Sequence, residues 1–399
     1  MENLTSNNNH NTLEKFNLIA KTYFGLEEVL ANELNDLGAE EIEIRSRAVS
    51  YKGDMKLLYK SNLHLRTAIK ILKPIATFTA NNEHQLYERV QRIPWHKYFS
   101  LHQTFAIDGT TSGDLFTHSK YVALKTKDAI VDQFRDKFGR RPDVDPRDPD
   151  LRINVHIAQN KCSIALDSSG LTLAKRGYRM EQVQAPMSEA LAAGIILLSG
   201  WDKKSDFIDP MCGSGTFSIE AALLATNTPP GIQRSFAFEK WNEFDENIWK
   251  KIRSEAREQM VPLKAKIMGY DLESDAVNIS RDNARRARVG QKITFEKTNF
   301  LESEANGVGG LVFINPPYDE RLEIDSIIEL YKEMGTCLKH KYEGYDAWII
   351  SGNLEALKFV GLRPSKKIKL YNGQLECRLQ KYELYRGSKK AKKATSEKM

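Results

Sequence analysis

The chain has 399 residues, 59 of them Lys or Arg against 53 Asp or Glu, giving a formal net charge of +6; 41% are apolar and 28% charged. That balance suits folded globular protein of two or three domains and excludes a disordered chain or a fibre. The longest nearly apolar run, 190–198, is far short of the roughly 20 residues that cross a bilayer.

The N-terminus lacks the basic-then-apolar order of a secretion signal. Cys162, Cys212, Cys337 and Cys377 stand in neither disulfide nor metal spacing, so a reducing cytoplasm is the expected compartment and a zinc ribbon is excluded. The charge is unevenly spread. Residues 386–399 carry six Lys or Arg and one Glu, 51–100 carry nine basic and three acidic residues, and 301–350 four and ten. Basic ends of this kind track phosphates or are solvated surface.

In chain order, residues 1–15 are polar and Asn-rich and are expected to be disordered. A strand over 16–20 precedes apolar positions Leu26, Val29, Leu30, Leu34 and Leu37 at helical spacing, ending at Gly38. Strands over 42–44 and 49–51 and a helix over 55–63 complete the order of a small ferredoxin-like unit. A second α+β segment has strands over 71–78, 104–107, 151–157 and 162–166, with helices over 83–93 and 121–138. From about Ser168 strands and helices alternate, the rhythm of a parallel sheet. Strands are predicted over 206–209, 266–270, 293–296, 311–314 and 347–351, with helices over 217–226, 274–288 (Ser274 as its N-cap) and 324–338. Asn372-Gly373 then marks a hairpin between 366–370 and 375–382.

Three places in this last region could carry chemistry. Asp209-Pro210-Met211-Cys212-Gly213-Ser214-Gly215-Thr216 joins a strand to a helix, and its glycines let a ligand approach backbone. Neither the third glycine of a dinucleotide loop nor a Lys-Ser/Thr pair is present; an acidic residue ahead of two glycines suits a ligand with a cationic amino group. Asp271, ending the next strand, could accept hydrogen bonds from ribose hydroxyls or simply cap a helix. Asn315-Pro316-Pro317-Tyr318 ends an apolar strand. Its prolines remove two amide donors, leaving the Asn315 and Pro316 carbonyls to accept protons from an exocyclic amine while Tyr318 stacks on the base. The alternative is a rigid proline turn. His96, His118 and His156 are isolated, so no metal is expected. Cys212 has no partner that would make it a nucleophile.

Together the glycine loop and Asn315-Pro316-Pro317-Tyr318 resemble class I S-adenosylmethionine-dependent methyltransferases that act on exocyclic amines. Gly25-Leu26-Glu27-Glu28, 127–132, 152–155, Lys175-Arg176-Gly177-Tyr178-Arg179 and Ala185-Pro186 extend the likeness to bacterial THUMP-domain 23S rRNA guanine-N2 methyltransferases of the RlmL type. The resemblance implies an α/β fold. A ferredoxin-like domain (16–56) and a THUMP RNA-binding domain (57–168) would precede a Rossmann-like methyltransferase domain (169–386) and a basic tail (387–399). It also implies S-adenosylmethionine as cofactor, held by Asp209, Cys212, Gly213, Ser214, Gly215, Asp271, Leu272, Asn299 and Phe300, with Asn315, Pro316, Pro317 and Tyr318 at the target amine. The implied partner is RNA, as 23S rRNA or a preribosomal particle, with no membrane; the oligomeric state stays open, a monomer being compatible. Rival readings are an adenine-N6 DNA methyltransferase, a tRNA guanine-N2 methyltransferase, and a non-catalytic RNA-binding assembly factor.

Three positions depart from the pattern. A Lys-rich tail stands where some relatives carry a second methyltransferase half, so a second activity is not expected. Asp319 follows the Asn-Pro-Pro-Tyr quartet in place of a frequent Gly, and Asn299 replaces a common Asp. Its amide carbonyl can still accept from adenine.

Overall fold

The computed structural model describes residues 14–179, 187–305, 307, 309–317 and 324–385. The expected disordered N-terminus (but for its last two residues), Ala185-Pro186, Tyr318, Asp319 and the basic tail lie outside the described residues. The chain divides into two compact units: Met1–Thr22, Leu30–Leu173 and Pro230–Ala256 in one, Tyr23–Val29, Ala174–Pro229 and Arg257–Met399 in the other.

The first unit is built on one seven-stranded sheet. Its elements are β1 (Phe16–Thr22), α1 (Glu27–Asp36), β2 (Glu40–Arg45), β3 (Ala48–Gly53), α2 (Met55–His64), β4 (Ala68–Thr79), α3 (Glu83–Gln91), β5 (Phe105–Ser112), α4 (Ser119–Phe138), β6 (Leu151–Ala158) and β7 (Lys161–Asp167), α1 beginning in residues of the second unit. Spatial order is β2-β3-β1-β4-β7-β6-β5. The β2-β3-β1-β4 part is antiparallel throughout, as a ferredoxin-like unit requires. The sequence suggests two separate α+β segments, but β4 joins them: it pairs with β1 through Ala68–Leu72 and with β7 through Leu72–Thr79. Pro74, which has no N–H to donate, sits where the second register shifts. The boundary expected between 56 and 57 falls inside α2.

By compactness, segment Pro230–Ala256, within the range expected for the methyltransferase domain, packs with this unit. The cause is aromatic. Phe236, Phe238, Trp241 and Trp249 are 0–5% exposed. Phe238 stacks on Tyr59 of α2 at 4.5 Å, and the Asp245 N–H donates to the Tyr59 hydroxyl at 3.0 Å.

The second unit continues with α5 (Glu189–Ser199), β8 (Asp206–Asp209) and α6 (Thr216–Ala225); helix α7 (Glu246–Glu258) intervenes, all but its last two residues in the first unit. Then follow β9 (Ile267–Asp271), α8 (Ser274–Arg286), β10 (Ile293–Lys297), β11 (Gly310–Ile314), α9 (Ile324–Lys341), β12 (Asp346–Ser351), β13 (Lys366–Asn372) and β14 (Leu375–Glu383). Strand order is β10-β9-β8-β11-β12-β14-β13, parallel from β10 to β12 and antiparallel in the last two pairs. The strands match the sequence expectation within two residues. Because β8 lies between β9 and β11, successive crossovers depart to opposite sides of it. That leaves a crevice at the carboxyl ends of these strands, the place where open α/β sheets bind ligands.

Candidate active site

The loop after β8 owes its path to two left-handed glycines. Gly213 has φ +52°, and a Cβ there would meet nothing within 4 Å, so the loop's outer face is open. Gly215, φ +77°, caps α6, and a Cβ would come to 3.1 Å from the Phe295 ring and from Ser280. One glycine opens the loop to a ligand; the other lets it lie flat on the protein behind.

Hydrogen bonds then pin the loop. The Cys212 N–H donates to the Tyr270 carbonyl at 2.8 Å and the Gly213 N–H to Asp271 Oδ2 at 2.8 Å. From α8, Ser280 donates to the Gly213 carbonyl at 2.8 Å and Asn283 to the Ser214 carbonyl at 3.0 Å. Asp271 also accepts from the Glu273 N–H at 3.0 Å, so it, and not Ser274, organises the start of α8, whose N-cap is Glu273. The backbone-capping alternative for Asp271 is thus realised; each carboxylate oxygen spends one lone pair on backbone and retains another able to accept from a hydroxyl.

A cavity of about 620 Å³ opens beside this loop, a size suited to a nucleoside-containing ligand. Cys212, Gly213, Ser214, Asp271 and Leu272 line one side. Asn299, Phe300 and Leu301 also line it, as do Asn315 and Pro317. Candidates separated by more than a hundred residues thus share one wall. Asn299 is already in use: its carbonyl caps a short 3₁₀ turn by accepting from the Leu301 N–H at 3.1 Å, and its amide donates to Glu302 at 3.3 Å. Phe300, 3% exposed, is fixed by the Tyr342 ring at 5.7 Å.

Three candidates lie off the wall. Gly215 faces Phe295 and Ser280, and Pro316 is buried behind Pro317 in sequence. Asp209 is 1% exposed; its Oδ2 accepts from Ser218 at 3.1 Å, while Oδ1 has no hydrogen-bond partner among the described residues. Burial, with a smaller push from the charge of Asp271, raises its carboxyl to about 7. Burial also pushes the Cys212 thiol far up, which agrees with a packing role.

Several wall residues escaped the sequence reading. Phe217 and Glu273 adjoin recognised motifs, whereas Met187, Leu330 and Asn372 arrive from distant segments. The motif ending at Arg179 supports the wall from outside. Arg179 donates to the Thr216 hydroxyl at 2.5 Å and to the Met187 carbonyl at 2.8 Å, and it faces Glu189 at 3.6 Å. Beside it, buried Arg176 and Tyr178 engage Glu220 of α6 at 3.6 and 3.1 Å.

The open face at Gly213, the carboxylate at the end of β9 and the apolar side chains of Leu272, Phe300 and Leu301 fit the amino-acid, ribose and base parts of S-adenosylmethionine. Among the described residues no cluster of His, Cys, Asp and Glu could hold a metal, and no helix is long and apolar enough to cross a membrane.

Comparison with known proteins gives the family. Residues 17–72 match the RlmL ferredoxin-like domain, 80–167 the THUMP domain and 176–381 the RMKL-like methyltransferase domain. A protein of Synechocystis sp. (strain ATCC 27184 / PCC 6803 / Kazusa), named provisionally as an RNA methyltransferase, is 38% identical over 93% of this chain and 98% of its own. The ribosomal RNA large subunit methyltransferase K/L of Syntrophotalea carbinolica is 38% identical over 90% of this chain and 52% of its own, so the chain spans about half of that relative. Among solved structures, SMU.472, named provisionally as a methyltransferase and crystallised with SAH, superposes with a TM-score of 0.85 at 32% identity, covering 94% of this chain and all of the other.

Proposed function

Since the chain belongs to the RMKL-like methyltransferase family and is an S-adenosylmethionine-dependent methyltransferase, we propose that it methylates the exocyclic N2 of a guanine in 23S rRNA. In this reading it acts in the cytoplasm on naked rRNA or an assembling particle. The observation that carries the reading is the placement of Asn315 on the same cavity wall as Gly213 and Asp271. An amine held at Asn315 is then adjacent to the proposed cofactor seat. The THUMP match and the relative named for large-subunit rRNA support RNA as the substrate.

When bound, S-adenosylmethionine supplies a methyl group on a sulfonium leaving group. Asp271 holds the ribose through the lone pairs left by the Gly213 and Glu273 amides. The open Gly213 face admits the amino-acid part, and Asn299, Leu272 and Phe300 border the base. Asn315 Oδ1 and the Pro316 carbonyl accept hydrogen bonds from the two amine N–H groups. This orients the nitrogen lone pair and draws it out of conjugation with the ring. The one proton the amine sheds after methylation passes to solvent. The amine carries the nucleophilic pair itself, so the protein contributes mainly position. The target base has to leave its stack to enter, and Tyr318 is the residue proposed to hold it there.

Nucleoside mass spectrometry of 23S rRNA, tRNA and DNA from cells with and without the protein tests the reading. The expected result is loss of one N2-methylguanosine from 23S rRNA. Loss of N6-methyladenine from DNA instead would replace it with the adenine reading, whose target amine Asn315 could hold equally well.

A further inference from the structure

The Gly25 motif and the β13–β14 hairpin have no part in the cofactor seat, yet they meet beside it. Gly25 has φ +87°, and a Cβ on it would come to 2.8 Å from Leu370 and 2.9 Å from the Lys369 carbonyl. Only glycine lets residues 23–26 lie against β13. The turn is anchored on both flanks: Tyr23 donates to Ser188 at 2.8 Å, and Leu26 is fully buried in the second unit's core. This places Phe24, 38% exposed, edge-on to the Tyr371 ring at 5.6 Å. The next residue, Asn372, lines the cavity.

The surface around this aromatic pair is cationic. By strand alternation Lys367, Lys369 and Tyr371 share one face of β13, and the register sets Lys369 opposite Arg378 and Tyr371 opposite Glu376. Glu376 pairs with Lys369 at 2.5 Å and Arg378 at 3.4 Å, leaving this face net positive. Among the described residues, exposed Lys367 on this face makes no ion pair. Lysines on an edge strand also keep it from pairing with another sheet. That role does not call for an exposed phenylalanine held against a tyrosine one residue from the cavity lining.

We propose that Phe24 and Tyr371, with Lys367 and Lys369, form a platform for the single-stranded RNA next to the target nucleotide, a neighbouring base stacking on Phe24. This rests on the reading of the chain as an RNA methyltransferase. It adds a second RNA contact, inside the catalytic unit and next to the site. Aromatic faces and cations are the pairing that single-stranded RNA uses, and displacing the target base leaves its neighbours in need of a stacking partner.

The test uses the full-length protein and large-subunit rRNA stripped of ribosomal proteins from cells lacking this protein. Ultraviolet cross-linking and peptide mapping should place cross-links at Phe24 or Tyr371. Phe24→Ala should raise KM for the RNA about tenfold, with S-adenosylmethionine affinity and Tm unchanged, and Phe24→Tyr should restore it. Lys367→Gln should reduce the slope of log affinity against log salt by roughly 1. Cross-links confined to other segments, or no cross-link, together with an unchanged KM in Phe24→Ala, would overturn the platform. The proposed reaction fails separately: if the wild-type protein methylates no rRNA, the cross-link map still decides the platform, because it requires binding alone.

Discussion

The two sides of the cavity are held by different physics. On the proposed cofactor side, the glycine loop is pinned by four hydrogen bonds from β9 and α8, those to Tyr270, Asp271, Ser280 and Asn283. On the proposed substrate side, the chain leaves β11 through Asn315-Pro316-Pro317, where two prolines fix φ without donating any bond. A loop held by hydrogen bonds loses its shape when a partner is removed. Two prolines keep their φ when the side chain ahead of them is trimmed. Substitutions on the first side should therefore mix structural and binding effects, and those on the second should act mainly on turnover.

The largest effect expected is at Asn315. Asn315→Ala leaves both prolines in place, so turnover should fall by at least about a hundredfold, the scale of a misplaced reacting atom. Cofactor affinity should change by less than about twofold, measured by calorimetry with S-adenosylmethionine. Near-normal turnover would remove the distinction between the two sides.

Next is a substitution away from the cavity. Trp249→Ala empties the aromatic cluster that draws Pro230–Ala256 into the first unit, and it should cost about 3–5 kcal/mol of stability. Cutting the chain near Ser168 would strip Phe236, Phe238 and Trp249 of that cover. A fragment beginning there is expected to aggregate, so RNA binding and catalysis are not separable at that point. A soluble, monodisperse fragment would show the segment to be an independent part of the catalytic unit.

A smaller loss is expected at Asp271. Removing its charge-assisted acceptors costs about 1.5–3 kcal/mol of cofactor affinity. Asp271→Ala also frees the Gly213 amide, so Tm should fall alongside affinity. Weakened binding with an unchanged Tm would mean that the loop is held without Asp271.

The sequence carried those features whose signals are local. Alternation marks β6, where Leu151, Ile153, Val155 and Ile157 are buried, and strand-then-glycine marks the loop after β8. The hidden features depend on partners far along the chain. Strand β5 runs to Ser112, well past the expected 107, because all eight residues pair with β6 despite Gly109 and polar threonines. The sharing of β4 between two pairings, the capture of Pro230–Ala256 and the arrival of Met187 and Asn372 at the cavity leave no periodic trace. Asp209 shows the limit most clearly: its place in the motif is plain, yet its side chain is turned away from the cavity wall and into the core.

That burial yields the smallest effect and tests how rigid the cofactor side is. A carboxyl raised to about 7 binds its proton more tightly in the folded protein than unfolded, where the ordinary value is 3.8. Stability from this group is full below the unfolded value and is lost as pH rises through 7. Between about pH 6 and about pH 7.5 the loss should be about 1 kcal/mol. His64 and His156 act oppositely, because burial lowers both, so the unfolded chain takes up more protons and stability rises with pH. The raw wild-type profile therefore mixes signs, and the informative quantity is its difference from Asp209→Asn, which keeps both histidines. Denaturant melts across this range should show wild type losing about 1 kcal/mol relative to the variant. Parallel profiles would mean that Asp209 is already ionised in the folded protein and that its orphan oxygen has found a cationic or donor partner, which would return it to the cofactor's amino group.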